Sequence, residues 1–195
     1  MISIFPTIIH DIDIPNFKKI EKDLIKFVYQ EKKKDPVGVN NSNVGGWQSK
    51  ELGLDNILSE TIIESVEKYF TASPKILRES MKLSSVRPWI NINKKGDSNS
   101  MHTHPGCDYA GVFWIKSSKG CGDLEFHSPS HHSQYNECMS YTEIFQKESG
   151  CFPSASISPV PGKIFIFPAS LYHQVQTSHS NEDRISSSFN ITIYY

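Results

Sequence analysis

No stretch of this chain approaches the roughly 18 consecutive apolar residues of a membrane-spanning helix, so no membrane association is expected. Cysteine is sparse: Cys107, Cys121, Cys138 and Cys151 are irregularly spaced and form no CxxC pair. That spacing argues against a structural zinc knuckle. A cationic excess is also missing, since the formal net charge is -1. A protein that grips a phosphate backbone needs a basic face to displace counterions, so no nucleic-acid backbone binding is expected. A nucleotide or flipped base as substrate stays open. The opening segment, MISIFPTIIHDIDIPNF, has no positively charged lead-in and carries Asp11 and Asp13 within its apolar part. It does not read as a secretory signal, so a cytoplasmic location with reduced thiols is expected.

What is present is globular. Hydrophobic residues make up 37% and charged residues 21%, neither membrane-like nor disordered. The 195 residues suit a single domain, with 1–81 as mostly helical support and 82–195 as a β core. Met1 to His10 reads as a short apolar strand. Phe17, Ile20, Leu24 and Val28 then recur at helical spacing behind Pro15, and the Glu31–Lys34 run closes that helix. Residues 35–49 read as a turn-rich loop built around Asn43, Gly45, Gly46 and Trp47. A second helix is expected from Asn56 to Phe70, its apolar face Leu58, Ile62, Val66, Tyr69 and Phe70.

From Lys82 the pattern changes to short alternating runs broken by Gly, Pro, Ser and Asn. Strands are expected at 83–93, 109–117, 122–127, 156–159, 163–167, 173–177 and 184–194. Many strands after a partly helical opening predict a mainly β sandwich or jelly roll with flanking helices. The long segment from 127 to 156 reads as a lid or substrate loop.

Three features of the second half carry chemistry. His102 and His104 stand two apart, so in extended chain both imidazoles face one side and can share an ion. His173 follows an apolar strand and a bend in PGKIFIFPASLYHQV. In DRISSSFNITIYY, Arg184, Ser186, Ser188 and Asn190 share one face of a strand. An arginine on an inner barrel face needs an anion, and its planar fork suits a carboxylate, with Ser186 placed to add a donor. The bland counterpart is an arginine paired with Asp183 or Glu182. Three protein ligands, open metal positions and a carboxylate anchor make the layout of a non-haem iron oxygenase.

With these residues in view, the chain resembles the 2-oxoglutarate and Fe(II)-dependent oxygenase superfamily, and more narrowly bacterial and phage oxygenases with an HxHPG motif. The resemblance rests on SNVGGWQS, WINI with Asn91, HTHPG, AGVFWIK, GDLEF, PGKIFIFPASLYHQV and RISSSFN, in that order along most of the chain. It implies a cupin-like double-stranded β-helix in which His102, His104 and His173 bind Fe(II). It also implies that Arg184 and Ser186 bind the distal carboxylate of 2-oxoglutarate, with Asn91 a further contact. Trp114, on the same side as Ala110 and Val112, is expected to line the pocket, and Trp47 to close a wall or fill the core. The implied reaction is hydroxylation of an unidentified small-molecule or peptide substrate.

Two departures stand out. The superfamily usually places a carboxylate where this chain has His104, and Asp108 in the following turn is an alternative donor. After GDLEF, relatives tend to have Asp-Pro-Arg, whereas here the residues are His127, Ser128, Pro129 and Ser130. Competing readings are a three-histidine cupin-like metalloenzyme or zinc hydrolase, and a non-catalytic β-barrel binding module. His10, His127, His131, His132 and His179 read as surface or loop residues.

Overall fold

In a computed structural model the described residues are 6–72, 76–77, 81–130 and 140–194. Two helices, α1 (Phe17–Lys34) and α2 (Ile57–Thr71), form where the apolar spacing places them. The Asn56 carboxamide oxygen caps α2 by accepting from the amides of Leu58 and Ser59, two of the donors a helix start leaves free. Leu24 and Val28 of α1, with Leu58, Ile62, Val66 and Phe70 of α2, are buried against one face of a sheet. Burying each such side chain contributes about 1.5–3 kcal/mol. Truncating Leu58 to Ala costs roughly 2–5 kcal/mol, because it leaves a hole under the helix.

The strands are β1 (His10–Asp13), β2 (Asn43–Val44), β3 (Trp47–Gln48), β4 (Lys82–Asn93), β5 (Ser98–His102), β6 (Tyr109–Lys116), β7 (Leu124–His127), β8 (Ser154–Ile157), β9 (Lys163–Pro168), β10 (His173–Val175) and β11 (Arg184–Tyr194), with α3 (Glu143–Ser149) before β8. They form a six-stranded sheet, β1-β9-β6-β11-β4-β3, facing a five-stranded one, β2-β5-β10-β7-β8. All pairings are antiparallel. The large sheet therefore has two apolar faces. One takes the helices through Ile90, Ile92, Phe113, Ile115, Ile185 and Phe189. The other meets the small sheet through Ala110, Val112, Trp114, Phe165 and Phe167, opposite Leu124 and Phe126.

The structure differs from these expectations or adds to them at four places. Of the strand expected at Met1 to His10, residues 1–5 lie outside the described set and 6–9 are not strand; the first described strand is His10–Asp13. Ile12 points into the core, while Asp11 and Asp13 face out and pair with Lys163 across the ladder. Inside the expected loop 35–49 lie β2 and β3, which extend one edge of each sheet. The β5 strand was not expected because Ser98-Asn99-Ser100-Met101 has no β-branched or aromatic residue; pairing with β2 and β10 decides it. Part of segment 127–156 is helical (α3), and its residues 131–139 lie outside the described set, with His131, His132 and Cys138 among them.

Candidate active site

Between the sheets, the inner face of β11 presents Arg184, Ser186, Ser188 and Asn190 in a row. Their cross-strand partners on β4 are Asn93, Asn91, Trp89 and Arg87. The opposite row, Ile185, Phe189 and Ile191, packs toward the helices. Period-two alternation thus separates a polar chamber from an apolar core within one strand.

His102 ends β5, His104 sits in the turn beyond it, and His173 begins β10 as the Cα partner of His102. One nitrogen from each of the three lies within 4.8 Å of the others. Each Nδ1 is held by an oxygen: His102 by the Ser100 carbonyl at 2.7 Å, His173 by the Leu171 carbonyl at 2.8 Å, and His104 by Asn190 Oδ1 at 2.6 Å. Carbonyl oxygens only accept, so Nδ1 carries the proton and each Nε2 is left as a bare lone pair. The Nε2 atoms of His102 and His104 lie 3.2 Å apart. Two lone pairs facing at that distance fit a shared cation. Burial lowers the pKa of all three imidazoles, that of His173 to about 3, so all are neutral and ready to ligate at pH 7. Trp89 stacks on His104 with ring centroids 5.7 Å apart.

Arg184 is 1% exposed. Its Nη1 donates to the backbone oxygens of Cys121 and Gln176, whereas Nε and Nη2, one edge of the guanidinium, are buried with no partner. Neither neighbouring carboxylate reaches it: Asp183 accepts from the Tyr29 hydroxyl at 2.6 Å, and Glu182 pairs with Lys116. Burial lowers the Arg184 pKa to about 10, against the pull of Cys121 and Asp97, so it stays cationic at neutral pH. A buried cation with a free two-donor edge is costly unless an anion completes it. The donor set fits a carboxylate accepted side-on.

Asn91 Oδ1, Asn93 Oδ1 and Trp114 Nε1 are further buried polar atoms without a partner. An enclosed cavity of about 30 Å³ touches all three histidines together with Asn91, Ser186, Ser188, Val112, Leu124 and Phe167. A wider groove of about 590 Å³ opens on the outer side of His102 and His104, walled by Gln48, Ser49, Trp89 and the 39–42 stretch.

The model of a family described as "Putative 2OG-Fe(II) oxygenase" matches residues 87–190, more than half of the chain. The chain belongs to this 2OG-Fe(II) oxygenase family. No curated protein matches it by sequence. Among solved structures, a Pseudomonas putida prolyl-4-hydroxylase is similar with a TM-score of 0.67 at 8% identity, over 95% of this chain and 92% of that one. A Trichoplax adhaerens prolyl hydroxylase in complex with a peptide fragment of the hypoxia inducible factor oxygen degradation domain gives 0.63 at 11%, over 94% and 83%. HygX from Streptomyces hygroscopicus, with nickel and 2-oxoglutarate bound, gives 0.59 at 10%, over 95% and 82%. The fold is the jelly-roll double-stranded β-helix that these oxygenases share, and the enzyme class is a 2-oxoglutarate-dependent oxidoreductase with Fe(II) and 2-oxoglutarate as its cofactors.

Within this oxygenase the residues singled out by sequence fall in several places. His102, His104, His173, Asn91 and Ser186 border one cavity. Trp114 is fully buried one strand away, as the Cα partner of Ser186. Asp108 is spent elsewhere: its Oδ2 accepts from the Ile193 amide at 2.7 Å, and the described metal-capable cluster is histidine alone. Trp47 points into the helix-facing core and donates to the Asp35 carbonyl at 2.9 Å, so it fills the core. His10 is not a loop residue. It is half-buried on β1, bonded to the Tyr69 hydroxyl at 3.1 Å. His127 ends β7 outside the cluster, its Nε2 3.9 Å from Glu125, and His179 is exposed. Sequence reasoning gave no role to Trp89, Asn190 or Gln48, although it placed Asn190 on the Arg184 face and held the other two within WINI and SNVGGWQS. Only the inward parity of β4 and β11 could have flagged the first two.

Proposed function

We propose that this oxygenase is a dioxygenase that hydroxylates an unidentified substrate. In this reading His102, His104 and His173 hold Fe(II), while Arg184 and Ser186 take the distal carboxylate of 2-oxoglutarate, helped by Asn91 and Trp114. The observation that carries it is the free, buried Nε and Nη2 edge of Arg184. A zinc hydrolase or an inert binding barrel has no use for a desolvated carboxylate fork on the same strand as Ser186, which borders the histidine cavity.

Loaded with dioxygen, the Fe(II) and 2-oxoglutarate pair supplies decarboxylation to succinate and carbon dioxide coupled to oxidation of a C–H bond. The chain's own residues do the rest. Three neutral imidazoles, each fixed by its Nδ1 bond, would hold the ion through Nε2. The Arg184 guanidinium neutralises a carboxylate, and the Ser186 hydroxyl and Trp114 Nε1–H are further donors. Val112, Leu124 and Phe167 make the cavity wall apolar and exclude water. The groove beyond His102 and His104 is the proposed substrate entrance, and its size suits a small molecule or a peptide segment. Cys107 and Cys121, neither in a disulfide, suit a cytoplasmic location.

Anaerobic titration with Fe(II) and 2-oxoglutarate tests this reading. Wild type is expected to develop the weak visible charge-transfer band of the chelate, and Arg184→Ala to need far more 2-oxoglutarate for it. Bound metal without a band in wild type would count against the assignment.

A further inference from the structure

Gln48 is the residue of the SNVGGWQS segment that the reading above leaves unused. It lies on β3, is 4% exposed, and its carboxamide oxygen is buried with no hydrogen-bond partner. Its Cα partner across the ladder is Asn91, which borders the enclosed cavity and has a second unpaired amide oxygen. Gln48 itself lines the wider groove outside His102 and His104. A buried, unpaired carboxamide costs about 1–3 kcal/mol unless something completes it.

Among the described side-chain atoms lining that groove, Gln48 Oε1 is the one that is both buried and unpartnered. The Ser49 hydroxyl donates to the Lys50 carbonyl and accepts from the Ile90 amide. Ser100 Oγ donates to the Ser42 carbonyl, and Asn190 holds His104. Charge is balanced too: Lys50 lies 3.9 Å from Asp35, and Glu51 lies 3.6 Å from Arg87. A groove with its charges paired, one aromatic wall at Trp89 and one buried, unpaired carboxamide oxygen selects against phosphates and carboxylates. A carboxamide both donates and accepts, and the group that matches both functions at once is another amide.

We infer that Gln48 is a specificity-determining residue that reads an uncharged amide group of the prime substrate lying in this groove. The inference rests on the oxygenase reading of the same site. The amide can come from a peptide backbone or from the cyclic amide of a nucleobase, and both present the same N–H and C=O pair.

The test uses the Fe(II)-loaded protein with 2-oxoglutarate and two sets of probes: blocked tripeptide amides without ionised side chains, and uridine and guanosine. Phosphorylated and carboxylated counterparts serve as the charged comparison. Succinate and an oxidised product are measured together. At least one uncharged amide probe is expected to be oxidised, and which set contains it identifies the source. With Gln48→Met, the half-saturating concentration of that probe is expected to rise at least tenfold relative to that of 2-oxoglutarate. Gln48→Glu, close in shape but charged, should give the same split and stands in if the Met variant does not fold. Oxidation of charged probes only, or of none, overturns the inference. So does an equal rise for 2-oxoglutarate, which would move Gln48 to the co-substrate site. If wild type shows no charge-transfer band, the oxygenase reading itself fails, a result distinct from a loaded but probe-indifferent enzyme.

Discussion

His102 and His173 face each other across the β5–β10 ladder, with ring centroids 4.3 Å apart. Both are kept neutral by burial, and each would repel the other if protonated. In the unfolded chain they take up protons near the ordinary value of 6.5. The folded form resists that uptake, so the stability is complete above pH 6.5 and is lost as pH falls toward the folded value of about 3 for His173. At pH 5 the His173 share alone comes to about 2 kcal/mol. Urea unfolding of metal-free protein at pH 7 and pH 5 should show at least that loss, and His173→Leu should show less pH dependence. Equal stability at the two pH values would contradict the buried neutral state.

Asn190 fixes the tautomer of His104. Replacing it with Leu leaves the ring free to turn its proton toward the metal. Metal affinity is expected to fall about 10–100-fold, read by competition with a chromophoric chelator. Far-ultraviolet circular dichroism should be unchanged.

Arg184→Lys keeps the charge but not the fork. A point charge cannot replace a two-donor edge, and carboxylate recognition at buried pairs is worth about 2–5 kcal/mol. The 2-oxoglutarate concentration for half-maximal band formation should rise more than tenfold. A smaller change would mean that the side-on edge is not where the carboxylate binds.

Gly122 has φ +88°, and a Cβ there would run into the Gln176 carbonyl and meet Arg184 Nη1 at 2.8 Å. Gly122→Ala is therefore expected to displace the arginine as well as strain the turn. A destabilisation of about 1–3 kcal/mol should accompany weakened 2-oxoglutarate binding. Gly120→Ala, also at positive φ but with open space around it, should lower stability without changing that binding beyond about twofold.

Much of this site was legible because its residues share parity. Arg184 and Ser186, two apart on β11, announce their common face through strand periodicity, while His104 lies past the end of β5 and joins His102 by its short spacing. The helices were legible too, since Leu58, Ile62, Val66 and Phe70 repeat at the helical period. What failed was anything set by partners distant in sequence. Ser98–His102 has no strand-forming composition and is a strand because β2 and β10 flank it. Asn190 reads as an ordinary strand residue until His104, 86 positions away, is placed against it. Trp47 carried two readings, core or pocket wall, and only the tertiary fold put its ring under the helices.

β11 occupies the middle of the six-stranded sheet, between β6 and β4, although it is the last of the described strands along the chain. It carries Arg184 and Ser186, and Asn190 as well. A chain emerging from the ribosome can form its helices early, but the two halves of this sheet have nothing to join them until β11 arrives. Closure of this sheet thus waits for β11, with ladders such as His10–Ile166 closing loops of more than 150 residues. Slow folding and strand edges left exposed until β11 pairs follow from that order.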